Sequence, residues 1–271
     1  IDRRDEVGQM GRAFTAMTNA LYRRIEASEK FAADVAHELK NPLAAARSTA
    51  ESLTFAKTDA DRAELVDQIQ GELKRLNRLI NDVSNASRLD AELARQEMQS
   101  LDIRTVLDAV CRIFRDMLSD DGRSIRLLVE PVASDRAYRI FGNDGRLAQV
   151  LTNLVDNALS FSPPGGTVTL RARSDGDWVE VLVEDQGPGI PTDKLSAIFE
   201  RFYSDRPLTD QSRGKNSGLG LSISREIVRS HGGKIHAENR IEPGTGKIVG
   251  ARFVVRLTCD GRLGGNLGRR S

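Results

Sequence analysis

The sequence predicts a multidomain α plus α/β chain: an antiparallel helical hairpin that forms a dimeric four-helix bundle, followed by an α/β sandwich. Three observations predict it. Apolar residues recur every three or four positions through residues 1 to about 95, where the chain is rich in Ala, Leu, Arg and Glu. A short polar stretch, Ala56 to Asp61, divides that run in two. From about residue 99 the pattern changes to strand-like alternation interleaved with helical stretches.

The first helix carries Phe31, Val35, Leu39, Leu43, Ala46, Ala50 and Leu53 on one stripe, and the second carries Leu65, Ile69, Leu73, Leu76, Ile80 and Val83. Cap-forming residues in the link turn one helix back along the other. A lone hairpin leaves part of these stripes uncovered, so a homodimer is expected. In the second half, strands are expected at Ser124 to Val129, Thr167 to Arg173, Trp178 to Val183 and Ala251 to Leu257. Helices are expected at Ile103 to Leu118, Asp144 to Phe161 and Leu219 to Ser230, the second capped by Asn143 or Asp144. Ser204 to Ser217 has no apolar period and reads as a long functional loop. Asp260 to Ser271 is rich in Gly and Arg and reads as a disordered tail.

The 271 residues include 40 Lys plus Arg and 39 Asp plus Glu, and the net charge of +1 gives no electrostatic reason to expect nucleic acid or an anionic membrane as main partner. Specificity must therefore lie in local sites. Cys111 and Cys259 are far apart, lack metal-ligand spacing and read as ordinary thiols. No apolar run reaches the ~18 residues of a membrane span. The first residue is Ile1, so the chain reads as a piece of something longer.

Three motifs in the second half point to one chemistry. Asn153 and Asn157 are four apart on an expected helix, which puts both carboxamides on one face as neutral oxygen donors suited to Mg²⁺. Asp185 to Gly189 follows an apolar strand; its glycines permit a tight turn against a flat ligand, and its carboxylate can accept from an exocyclic amine such as that of adenine. Gly214 to Leu221 opens a helix, where free N–H groups meet phosphate oxygens and Lys215 adds a positive charge.

In this order the motifs resemble the GHKL ATPase superfamily, and within it the histidine kinases. Their asparagine box corresponds to Asn153 to Pro163, the first glycine box to Asp185 to Gly189, the phenylalanine box to Phe199 to Tyr203 and the second glycine box to Gly214 to Leu221. The resemblance implies a sandwich of the Bergerat type that binds Mg·ATP. It implies Asn157 as the Mg²⁺ ligand with Asn153 assisting, Asp185 recognising adenine, and Gly187 and Gly189 lining the base pocket. Ser217, Gly218, Leu219, Gly220 and Leu221 would wrap the phosphates, and Phe199, Phe202 and Tyr203 would flank the loop. One departure stands out: many members carry a basic residue three positions after the second Asn, where this chain has Ser160. Lys215 or Arg201 could supply the charge.

His37 lies in the first helix, followed by Glu38, Asn41 and Pro42. A proline inside a helix costs about 3 kcal/mol and bends it, which suits a functional device better than a purely structural bundle. Imidazole offers a neutral nucleophilic nitrogen near pH 7 because its ordinary pKa is ~6.5. Glu38 can accept from the other ring nitrogen, and Asn41, one turn on, can hold a water for phosphatase work. Phe31 to Leu43 resembles the phosphoacceptor box of the commonest histidine kinase dimerisation domain, with His37, Glu38 and Asn41 as its histidine, acid and amide. Together with Asp205 to Pro207 and Asn216 to Ser224, it is most similar to the ChvG/ExoS type of alphaproteobacterial envelope-sensing kinase.

Asp5 to Gly8 resembles the opening of the second HAMP helix. The resemblance thus implies a HAMP end at 1–26, a dimerisation and phosphotransfer domain at 27–95, an ATP-binding domain at 96–258 and a tail at 259–271. It further implies a response regulator receiver domain as partner, and a place in the cytoplasmic portion of a bacterial inner-membrane protein. His231 is expected at a helix C-terminus with its cation favoured by the dipole, and His236 on a strand.

Overall fold

The computed structural model describes residues 6–93, 97–118, 122–132, 134–203 and 218–260. Two compact units divide the chain after Ile80.

The first unit is built on α1 (Glu6–Ser52) and the beginning of α2 (Asp59–Leu93). The expected polar link is shorter than its composition suggests, because Asp59 to Asp61 already belong to α2. The reason is a reciprocal cap. Thr58 Oγ1 accepts from the Asp61 N–H at 3.1 Å, and Asp61 Oδ2 accepts from the Thr58 N–H at 3.1 Å. Helix α1 runs on through Pro42, whose ring nitrogen has no proton for the carbonyl four residues back. Glu38, well back along α1, meets Arg75, a similar way into α2, at 3.9 Å, so the helices run antiparallel. Ala46 of α1 and Leu79 of α2 are buried. Apolar side chains nevertheless stay exposed at Met10, Phe14, Met17, Leu21 and Ile25 of α1, spaced by three and four, and at Val66, Leu73 and Ile80 of α2, spaced by seven.

The second unit contains β1 (Gln99–Asp102), α3 (Ile103–Met117), β2 (Ser124–Val129), β3 (Arg139–Gly142) and α4 (Asp144–Phe161). It continues with β4 (Thr167–Asp175), β5 (Trp178–Glu184), α5 (Gly220–Ser230), β6 (Lys234–Ile241) and β7 (Ile248–Thr258). A five-stranded sheet has the order β2-β4-β5-β7-β6, with β2 and β4 parallel and every other pair antiparallel. The parallel pair requires a crossover, and β3 and α4 provide it. β1 and β3 form a separate antiparallel pair.

Period-two alternation separates the two faces of the large sheet. Val168, Leu170 and Ala172 of β4 and Val179, Val181 and Val183 of β5 are buried on the face that α3, α4 and α5 cover. The other face is a charged lattice. Glu184 bonds Arg252 Nε at 2.7 Å, Arg252 Nη1 reaches Glu238 at 2.8 Å, and Glu180 bonds Arg173 Nε at 2.6 Å. Glu180 and Glu184 are buried under the arginine stems, and Leu182 and Val254 are buried with them.

The helices fall where periodicity and caps place them. Asn143 caps α4, its Oδ1 accepting from the Arg146 N–H at 3.0 Å, and Asp102 caps α3 through the Arg104 N–H at 2.9 Å. β1 and β3, four residues each, are too short to show a period. Cys259, placed at the start of the expected tail, instead donates its N–H to Asp177 O at 2.9 Å and bridges to Ile140. Residues 261–271 lie outside the described residues.

Candidate phosphoacceptor and nucleotide site

In the first unit, α1 exposes His37 and, one turn later, Asn41, while Pro42 is buried. Neither ring nitrogen of His37 has a hydrogen-bond partner among the described residues. Glu38 does not turn to that ring. Its carboxylate is half-buried and faces Arg75, which also lies 3.7 Å from Glu72. The expected Glu38–imidazole contact is therefore not made in this conformation: the acid is held by a cation of α2, as its position a quarter-turn from His37 allows.

His231 is the opposite case. It caps the C-terminus of α5, as expected, but as a neutral ring. Nδ1 lies 2.7 Å from the Ile227 carbonyl, and Nε2 accepts from the Asn143 N–H at 3.0 Å. A ring that donates from Nδ1 and accepts at Nε2 carries one proton, and burial pushes its pKa down. Desolvation outweighs the helix dipole, which corrects the expected cation.

The nucleotide motifs of the second unit assemble around α4, the β5–β7 edge and the start of α5. Asn153 donates from Nδ2 to Gly220 O at 3.2 Å and to Ser224 Oγ at 3.3 Å, so its amide ties α4 to α5. The Asn157 carboxamide, one turn further, has no partner among the described residues. Of the two, Asn157 is the donor left for a metal or ligand. Ser160 supplies no charge; its hydroxyl donates to the Asn157 carbonyl at 2.7 Å.

Asp185 is buried at the end of β5. Its Oδ1 accepts from the Gly187 N–H at 2.8 Å and the Ala251 N–H at 2.9 Å, which leaves Oδ2 for a ligand donor. Burial pushes its pKa up, against those two bonds and the nearby Arg240. Gly250 explains how β7 comes so close. At φ 148° it lies against the Asp185 carbonyl, and a Cβ there would overlap that oxygen. Gly189, at φ 82°, is likewise closed in by Ile248 and Asn239.

Phe199 is buried edge-on against Phe253, with ring centroids 6.2 Å apart. Phe202 has φ 61°, unusual for a side chain of its size, and its N–H donates to the Gly218 carbonyl at 3.0 Å. Tyr203 is half-buried beside it. Leu219 is buried, and α5 begins at Gly220 with no side-chain cap on its first N–H groups among the described residues, followed by half-buried Leu221. Lys215 and Ser217, with all of residues 204–217, lie outside the described residues. Arg201 is exposed.

These residues fit a magnesium nucleotide: a neutral amide without a partner among the described residues, a half-engaged carboxylate beside close-packed glycines, and a helix start with no side-chain cap among the described residues. Gly250, Ala251, Asn239 and Arg240 support the site without having been singled out by sequence. Only Gly250, a glycine inside a strand pattern, carries a readable signal of close backbone approach.

Comparison with known proteins agrees with both halves. Residues 27–92 match the His Kinase A (phospho-acceptor) domain, and residues 142–260 match the histidine kinase-, DNA gyrase B- and HSP90-like ATPase family. The chain is 46% identical over 261 residues to the sensor protein ChvG of Agrobacterium fabrum, covering 94% of this chain and 43% of that protein. It is 32% identical over 266 residues to the signal transduction histidine-protein kinase/phosphatase MprB of Mycobacterium tuberculosis, covering 93% of this chain and 49% of that one. The chain thus spans less than half the length of these relatives. In fold it is similar to histidine kinase ThkA, solved in complex with response regulator protein TrrA, with TM-score 0.68 and 23% identity over 88% of this chain and 64% of that one.

Proposed function

We propose, from the premise that this chain belongs to the sensor histidine kinase family, that it autophosphorylates His37 from Mg·ATP and passes the phosphoryl group to an aspartate of a response regulator receiver domain. The observation that carries this reading is the exposed, uncommitted imidazole of His37, set against the fully committed ring of His231.

In the proposed step a His37 ring nitrogen attacks the γ-phosphorus, an N–P bond forms as the bond to the β-phosphate oxygen breaks, ADP leaves and the ring sheds its N–H proton. Glu38, released from Arg75, would take that proton or stabilise the cation that precedes its loss. Asp185 would read adenine through Oδ2, while Asn157 would hold Mg²⁺, which neutralises phosphate charge when bound. Gly218 to Leu221 would meet the phosphates with backbone N–H groups. Lys215 and Ser217 would join them from the loop, and Phe199, Phe202 and Tyr203 would fix the loop's first root.

The exposed heptad-like stripes support a homodimer, since a second hairpin would cover Met10, Phe14, Met17, Leu21, Val66, Leu73 and Ile80. Exposed Asn41 supports phosphatase activity toward the regulator, the dual activity named for MprB. The domain limits proposed are those given by the family resemblance, with HAMP linking this cytoplasmic part to a membrane anchor. Among the described residues no helix is long and apolar enough to cross a membrane. Incubation with ATP labelled in the γ-phosphate tests the reading. The chain should acquire label that is acid-labile and base-stable, and added ADP should discharge it. Label stable to acid would refute a phosphohistidine.

A further inference from the structure

The loop from Asp185 to Ile190 is held by two neighbouring residues of β6. Asn239 accepts the Ile190 N–H on Oδ1 and donates from Nδ2 to the Ile190 carbonyl, both at 2.7 Å. This is a two-point pairing of one carboxamide with the N–H and carbonyl of a single residue, and an amide is the side chain that can donate and accept at once in that geometry. The next residue, Arg240, donates from Nη1 to the Asp185 carbonyl at 2.6 Å. The two ends of the loop are thus fastened to adjacent residues of one strand. Between them Gly189, at φ 82°, packs its α-carbon so close to Asn239 that a Cβ would come within 2.7 Å of Oδ1.

From this we infer that Asn239 is a positioning residue for the nucleobase. It holds Asp185 to Ile190 in the conformation that binds adenine, and it takes no part in phosphoryl transfer. The inference rests on the nucleotide reading above and deepens it. Without the clamp, the Ile190 N–H and carbonyl return to water and the loop samples conformations in which Asp185 Oδ2 and the glycine backbone no longer form one surface. Binding then has to reorder the loop, so affinity falls. The chemical step, which takes place at the far end of the nucleotide, does not change.

The test uses the whole chain and two variants, Asn239→Ala and Asn239→Asp. The second keeps size and acceptor but sets a carboxylate oxygen against the Ile190 carbonyl. Mg·ADP affinity is measured by calorimetry, and autophosphorylation is followed as a function of ATP. Each variant should raise the Mg·ADP Kd about tenfold, Asn239→Ala through loss of both hydrogen bonds and Asn239→Asp through loss of one together with repulsion at the Ile190 carbonyl, and raise the half-saturating ATP by a similar factor. The rate at saturating ATP should stay within about twofold of the parent, because uniform binding alone is lost. Unchanged affinity, or a saturating rate that falls in step with affinity, would overturn the positioning role. If Asn239→Ala fails to fold, Asn239→Asp decides by the same criteria. A parent chain that binds no Mg·ADP refutes the nucleotide reading itself, whereas a binding parent with equally tight variants refutes this inference alone.

Discussion

Nε2 of His231 accepts the backbone N–H of Asn143 at 3.0 Å, so the C-terminal cap of α5 is joined to the N-terminal cap of α4. Both helices carry residues proposed to meet the nucleotide at their other ends or faces, Asn157 on α4 and Gly220 at the start of α5. The ring has to stay neutral for this bond, since a protonated Nε2 would face a donor. Burial is the main cause of its lowered pKa.

A pH dependence follows, with a definite sign. The unfolded chain takes up a proton at His231 near the ordinary value of ~6.5, and the folded chain does so only at lower pH. The contribution is therefore complete above that value and is lost as pH falls toward the folded pKa. Urea unfolding at pH 7.5 and pH 5.5 should show a larger loss of stability in the parent than in His231→Asn. Equal losses would show that this ring is not a source of acid sensitivity.

Asp185→Asn separates the two oxygens of one carboxyl. An asparagine can keep Oδ1 on the Gly187 and Ala251 N–H groups, so the fold should hold, with a midpoint close to the parent's. Its Nδ2 would then oppose the exocyclic amine of adenine, a donor against a donor. Mg·ADP affinity should drop about 10- to 100-fold, the worth of a charged hydrogen bond. Retained affinity would mean that the base is read by another group.

Gly250→Ala tests the approach of β7 to the same residue. A Cβ at this position overlaps the Asp185 carbonyl, and the strand can relieve the overlap only by moving away. Loss of about 2 kcal/mol or more in denaturant unfolding is expected, from strain and overpacking together. A neutral outcome would show the β5–β7 edge to be more pliable than its hydrogen bonds suggest.

The charged face of the sheet gives a prediction about stability alone. Glu184 is buried between Arg252 and Arg171, and its loss leaves two guanidinium groups without that carboxylate. Because the arginines keep about a third of their exposure, solvent offsets part of the penalty. Glu184→Ala should cost about 2 kcal/mol by denaturant titration, below the full effect of a buried pair. Nucleotide affinity should be unaffected.

How much of this was legible in sequence depends on range. Asn143 and the apolar period of α4 mark that helix because cap and stripe act within one or two turns. Four of the five strands of the large sheet announce themselves by alternation, β2 to the residue, whereas β6 shows no such period and only His236 placed a strand there. What sequence could not show is what meets what. Nothing local tells Asn239 that Ile190 lies opposite it, or His231 that it receives the Asn143 N–H, since those pairs are 49 and 88 residues apart. The site divides in the same way: Asn157 and Asp185 stand in recognisable motifs, while Arg240, Asn239 and Ala251 act through backbone bonds that follow from strand order. Glu38 shows the limit within one motif, because its pairing with Arg75 depends on the register of α1 against α2.

The central claim is that His37 is the group that receives the phosphoryl. The direct measurement is autophosphorylation of the parent chain and of His37→Gln with γ-phosphate-labelled ATP, alongside Mg·ADP binding by each. The account predicts acid-labile label on the parent, none on His37→Gln, and equal nucleotide affinity for both. Equal labelling of His37→Gln would contradict it.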